Sequence, residues 1–252
     1  MMKRIFREIT VKPSSPGSYR ASSLAWWFWC AEQAYWKCQG IEDESVNVEA
    51  KRIGTLVHEL IHKEKKAWTW ELKFLEELEK RRLDNYGFVR KLEGNEIYED
   101  VTGHPDEFQI TPAKKVSIIE LKTTSIKPTS STLNFYIRYR LPVAQFQTQI
   151  YCWILEPIIK ELGYELERVH AVSVYHVEYE GGELKNYKHW MDIPVFYYPM
   201  DVYKQIKDIL FAFKNPLNII PPRGFPFGFK CRNCPKIYKE RCRFMKKEEK
   251  KG

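Results

Sequence analysis

The sequence predicts an α/β fold in which a small mixed sheet is flanked by helices. Three observations lead there. Stretches with apolar residues at helical spacing, such as Glu49–Trp68, alternate with strand-like runs such as Lys115–Lys122. The elements follow the order helix, helix, three strands, helix, two strands, helix, as a layered α/β or α+β domain does. The 252 residues, 44% of them hydrophobic, suffice for one substantial core.

Each element has a local reason. Pro13, Pro16 and Gly17 open the chain as a loop, and Ser22 and Ser23 are candidate N-caps for a helix through the aromatic run Leu24–Lys37. A second helix begins near Val48, shows Ile53, Leu56, Val57, Leu60 and Ile61 on one face, and continues with a break towards Asp84. Strands are expected at Glu96–Val101, Asp106–Thr111 and Lys115–Lys122, then a polar loop over 123–141. Pro142 suits the first turn of a helix reaching Gly163, which Pro157 should kink or split. Strands near Val169–Glu178 and Glu183–Ile193 flank Gly181-Gly182, and Met200–Lys214 is the last long helix.

Charge is distributed unevenly. The net charge is +8, and residues 221–252 contain eleven Lys or Arg against three Glu, so the whole excess lies there. Such a segment favours a polyanionic partner, most simply nucleic acid. Arg223, Lys230, Arg232 and Arg241 are the candidate phosphate contacts. No run of about 18 apolar residues is present, which excludes a spanning helix, and the N-terminal residues lack a signal-peptide core, so a cytoplasmic protein is expected.

The chemistry concentrates between residues 103 and 122. Gly103-His-Pro-Asp106 precedes Glu120-Leu-Lys122, which closes an apolar strand. Positions i and i+2 of a strand share a face, so Glu120 and Lys122 project together and an upstream strand can bring Asp106 beside them. Two carboxylates at one point repel unless a cation lies between them, and hard oxygen donors suit Mg²⁺ or Mn²⁺. With a lysine to orient water and offset charge on phosphate, this set suits phosphodiester hydrolysis. A bare ExK at a strand end is also a common exposed ion pair. His58, in Gly54-x-x-x-His58, is a further candidate ligand, and Gln147 and Tyr151 share a helix face at i and i+4.

Six cysteines in a cytosolic chain argue for metal or redox chemistry over disulfides. Cys231-x2-Cys234-x7-Cys242 with Cys30 makes four thiols, suited to a [4Fe–4S] cluster or to tetrahedral zinc, and spacing alone leaves both open. Cys38 could replace Cys30, and Cys152 reads as a core thiol. Trp26–Trp29 and Phe225, Phe227 and Phe229 could stack bases or pack around such a cluster, and packing is favoured.

The ordered set GxxxH, GxxD, ExK and QxxxY resembles the RecB-like nucleases of the PD-(D/E)XK superfamily. With an upstream cysteine and a C-terminal cysteine trio it is most similar to the CRISPR-associated exonuclease family Cas-four, over roughly residues 20–245. The resemblance implies a restriction-endonuclease-like core over about 46–220 and an iron–sulfur lobe from about 20–45 plus 221–245, together one nuclease domain. It implies that His58, Asp106, Glu120 and the backbone carbonyl of Leu121 bind Mg²⁺ or Mn²⁺, that Lys122 is catalytic, and that Gln147 and Tyr151 complete the site. It tips the thiols towards [4Fe–4S]. It also implies metal-dependent exonuclease action on single-stranded DNA ends, in trimming spacer precursors for CRISPR adaptation alongside other adaptation proteins. Oligomeric state stays open. Two other readings compete. One is a non-catalytic DNA-binding or assembly subunit of the same fold. The other is a zinc metalloprotease built on His58-Glu59-x-x-His62, which would leave Asp106, Glu120 and Lys122 without a purpose.

Overall fold

A computed structural model describes residues 18–41, 48–64, 69–82, 87–94, 97–127, 129–216, 219–220, 229–232 and 234–244. The expected opening loop at 1–17, the helix end at Asn85-Tyr86, and Arg223, Phe225 and Phe227 lie outside the described residues, as does the side chain of Phe229.

The aromatic N-terminal helix is not continuous. A short strand β1 (Ser18–Arg20) runs into α1 (Ala21–Ala25), a 3₁₀ turn follows at Trp26–Phe28, and α2 spans Ala31–Cys38. Cys30 is extended, with φ −159° and ψ 118°. Four consecutive aromatics cannot share one helical face at about 100° per residue. The interruption buries Trp29 and lets Phe28 meet Phe146 edge-on, with ring centroids 4.9 Å apart. The expected caps Ser22 and Ser23 lie inside α1, whose N-cap position is Arg20, and Ala21, Leu24 and Ala25 already face the core.

The second helical stretch divides into α3 (Val48–Glu64) and α4 (Thr69–Glu79). Next come β2 (Phe88–Gly94) and β3 (Ile97–Gly103), which pair antiparallel, with β1 parallel on the far side of β3. Neither β1 nor β2 was expected from the sequence, and the one mixed sheet foreseen there is two.

The second sheet has the order β4 (Glu107–Ile110), β5 (Lys115–Thr124), β7 (Val169–Glu180), β8 (Glu183–Phe196), and the two-residue β6 (Glu165–Leu166) extends the pairing on β5. β5 is central, antiparallel to β4 and parallel to β7. Gly181 and Gly182 turn β7 into β8 with φ of 56° and 79°, a pair of left-handed conformations that suits a tight hairpin.

The crossover from β5 to β7 carries the largest difference from expectation. The segment after β5 contains α5 (Ser130–Phe135) and a π-helical turn (Tyr136–Arg140) that merges into α6 (Leu141–Glu161). The polar text hid an apolar anchor: Tyr136 and Leu141 are both buried in one cluster with Val172 and Val174. They are five residues apart, and a wider i→i+5 turn brings such a pair to the same side. α6 is the spine of the core, and Pro157 does not split it. The proline leaves the carbonyl of Trp153, four residues back, without its helical N–H, and the Arg90 guanidinium donates to that oxygen instead. α7 (Pro199–Lys214) closes the described core, followed by the short helices α8 (Phe229–Arg232) and α9 (Lys236–Lys239). No helix among the described residues is long and apolar enough to cross a membrane.

Candidate active site

β5 has a charged residue at a core position. Val116, Ile118 and Glu120 alternate towards α6, and the Glu120 side chain is 2% exposed. Lys122, next on that face, donates to Glu120 Oε1 and, at 3.4 Å, to Gln147 Oε1. Gln147 Nε2 in turn donates to Tyr151 Oη at 2.6 Å, so α6 holds the amine from above.

Asp106 arrives from the loop before β4. Its Oδ2 accepts the backbone N–H of Leu121 at 2.9 Å, and its Oδ1 lies 3.6 Å from His58 Nδ1 on α3. Leu121 therefore contributes a backbone N–H to this arrangement, while its side chain is buried. Both motif glycines lie in close contacts, and at Gly103 the contact leaves no room for a side chain. A Cβ on Gly54 would come within 3.1 Å of Thr123 Oγ1, so its absence lets α3 approach β5 with His58. A Cβ on Gly103 would sit 2.5 Å from Cε1 of the buried Tyr151 ring. Gly103→Ala is expected to destabilise by about 1–3 kcal/mol and to displace Tyr151, which thermal unfolding and the near-ultraviolet signal of the tyrosines will report.

Electrostatics separate the two acids. Burial, reinforced by the Asp106 charge, raises Glu120 from 4.5 to about 8 despite the neighbouring ammonium. Burial also works against an ionised Asp106, but His58, Lys122 and the Leu121 N–H together hold it below its ordinary value. Burial opposes the Lys122 ammonium too, yet Glu120 and Asp106 keep it protonated. Tyr151 is pushed well up by burial and both acids, so it is a neutral phenol. Glu120 Oε2 is buried and has no hydrogen-bond partner among the described residues. The site thus has a buried acid kept neutral at neutral pH beside an ionised acid and an ammonium, and it is open at its rim, where His58, Asp106 and Lys122 side chains are 27%, 25% and 32% exposed.

Among the described residues no three of His, Cys, Asp and Glu converge tightly enough to hold a metal ion as they stand. The donor types nonetheless fit a divalent cation: two carboxylates and an imidazole, one carboxylate oxygen orphaned in the interior. The protease arrangement finds less support. Glu59 is exposed, and His58 faces Asp106.

The cysteines divide as follows. Cys30 lies near Cys234 and Cys242, and its thiol is pushed up to about 11, by burial first and by those two neighbours further. Cys231 and Cys234 are raised by burial and by nearby thiols, and Gln33 Nε2 donates to Cys234 Sγ at 3.0 Å. Cys38 and Cys152 are instead buried in the apolar core. The C-terminal segment holds to α2 through protein contacts. Arg243 makes charge-assisted bonds to both oxygens of the buried Glu32, its backbone N–H adds another at 2.9 Å, and Tyr238 Oη donates to Ile41 O at 3.0 Å. Lys230 Nζ donates to Phe28 O at 3.0 Å, Arg241 to Ile237 O at 3.1 Å, and Arg232 is exposed.

Sequence reasoning missed Tyr136 near Lys122, and the Glu32–Arg243 pair. Only the spacing of Tyr136 and Leu141 hinted at the first.

No protein-family model matches the chain, and no curated protein matches it. Among solved structures it is similar to SSO0001, at 12% identity over 93% of this chain and 90% of that one, with a TM-score of 0.45. It is also similar to a protein from Eubacterium rectale named "Putative exonuclease", at 15% identity over 92% and 93% of the two chains, with a TM-score of 0.41.

Proposed function

We propose that this chain is a Mg²⁺- or Mn²⁺-dependent deoxyribonuclease, an exonuclease acting on single-stranded DNA ends. The observation that carries the reading is Glu120 Oε2: a buried, unpartnered carboxylate oxygen beside a second acid and a protonated lysine. A divalent cation would relieve the burial and the Asp106 charge that oppose ionisation of Glu120, and so let both acids carry charge together. His58, Asp106 and Glu120 would hold that ion, with the Leu121 carbonyl added by the family resemblance. When bound, it supplies a Lewis acid that polarises a phosphoryl oxygen and acidifies a water.

The chain's own groups do the rest. Lys122, charged and anchored on Glu120 Oε1 and Gln147 Oε1, presents N–H donors that orient the attacking water and offset charge developing on the phosphate. Gln147 and Tyr151 keep the amine in place, and Tyr151 stays neutral, so it adds no further negative charge. Asp106, ionised well below neutral pH, is braced by the Leu121 N–H. Incubating 5′- and 3′-labelled single strands with purified protein and Mn²⁺ is expected to give a product ladder. Cutting that survives EDTA or Asp106→Ala would defeat the proposal.

Cys30, Cys231, Cys234 and Cys242 would hold a [4Fe–4S] cluster. The support is that these thiols, from both ends of the described chain, feel one another, and that one already accepts an N–H bond as cluster sulfurs do. Protein purified anaerobically is expected to be brown, and colourless protein carrying stoichiometric zinc refutes this assignment. A place in CRISPR adaptation, in the cytoplasm and with other adaptation proteins, follows from the resemblance alone.

A further inference from the structure

The π-helical turn after α5 presents charge that the catalytic reading does not use. Its first residue, Tyr136, is buried within the electrostatic reach of Lys122 and Glu120 and packs edge-on against Trp190 at 6.1 Å. Its last residue, Arg140, is exposed, and its guanidinium lies 5.4 Å from the centre of the Trp29 ring. Lys230 Nζ lies 5.6 Å from the same ring centre. Trp29 is itself 6% exposed and precedes Cys30. Two cations thus lie against one buried indole, and Arg140 ends the turn that Tyr136 begins.

Among the described residues, no carboxylate pairs with Arg140 or Lys230. Elsewhere on the surface the pattern differs: Arg81 pairs with Glu161 and Lys185 with Glu183. Each cation has given up part of its hydration to the ring. A phosphate oxygen at either cation offsets that cost. Arg140 has the planar fork that grips a phosphate through two oxygens, and Lys230 adds a point charge.

We infer that Arg140 and Lys230, seated on Trp29, bind the phosphodiester backbone of the single-stranded substrate next to the bond held at Glu120 and Lys122. The inference rests on the nuclease reading and adds to it the path of the strand: from the carboxylates, past Tyr136, towards the cysteine lobe. The grip is on the backbone, so it is independent of base sequence.

The test is binding of a fluorescent single-stranded oligothymidine by the full chain without added divalent cation, titrated over sodium chloride. Removing one cation from a phosphate is expected to lower the slope of log affinity against log salt by about 0.7. Arg140→Gln and Lys230→Gln should each show that drop, with affinity about 3- to 10-fold weaker at low salt. Arg140→Lys, which keeps the charge, should recover the slope but not the full affinity. Lys185→Gln, which removes one charge at the distant hairpin, should match the wild type. Near-ultraviolet circular dichroism identifies any variant that has unfolded. Unchanged slopes in folded Arg140→Gln and Lys230→Gln overturn the inference. Cleavage by the wild type with Mn²⁺, measured on the same preparation, reports separately on the nuclease reading.

Discussion

Glu120→Gln is expected to lose DNA cleavage by about 10³-fold or more, while the metal-free variant melts no lower than the wild type at pH 8. The two effects have one cause. The proposed chemistry calls for a carboxylate where it is most expensive to keep, in the interior beside Asp106. Its folded-state pKa, about 8, stands above the ordinary 4.5 of an unfolded chain. The contribution of this group to stability is therefore fully present below about pH 4.5 and is lost as pH rises through 8. Asp106 has the opposite sign: its lowered pKa stabilises the fold above its ordinary value of 3.8 and fails as pH falls below it. Melting curves from pH 5 to 9 should show metal-free wild type declining, Glu120→Gln flatter, and Mn²⁺ restoring the wild type alone. The variant's Tm at pH 8 should exceed that of the wild type by about 2–4 °C for each kcal/mol relieved. Full cleavage by Glu120→Gln, or an equal response of both proteins to Mn²⁺, would remove the proposed role of this carboxylate.

Arg243→Ala is the second large effect, with an expected loss of about 3–5 kcal/mol. Glu32 has only 4% of its side chain exposed, and Arg243, at 27%, supplies both its charge partner and several of its hydrogen bonds. Removing the guanidinium leaves a buried carboxylate uncompensated, and that penalty exceeds what the intact pair contributes. Glu32→Gln with Arg243→Ala should recover part of the loss, since a neutral amide is cheaper to bury. Chemical denaturation measures the loss, and limited proteolysis should release the segment after Arg232. A change below about 1 kcal/mol would mean that the tail is held elsewhere.

Much of this could be read in advance, and the exceptions share a feature. β5, α6 and the Gly181-Gly182 hairpin are local patterns, so period two, period 3.6 and a glycine pair suffice. The same holds for Glu120 with Lys122 and for Gln147 with Tyr151, each a matter of two or four residues on one element. What escaped is decided at a distance. β2 reads as charged text and becomes a strand because it pairs with β3. The turn Tyr136–Arg140 is set by where Val172 and Val174 put the cluster that receives Tyr136 and Leu141. Across Pro157 the carbonyl freed in α6 is taken up by Arg90, from β2. Glu32 and Arg243 lie 211 positions apart, and nothing near either announces the other.

That separation has a consequence during synthesis. Ribosomes add about 5–20 residues per second, so Glu32 waits about 10–40 s for its guanidinium after leaving the tunnel. Throughout that interval the Glu32 side of α2 is without its partner, a surface open to chaperones or to other nascent copies. The stretch around Arg243 acts as a latch: a ribosome that stalls before it leaves the Glu32 seam open.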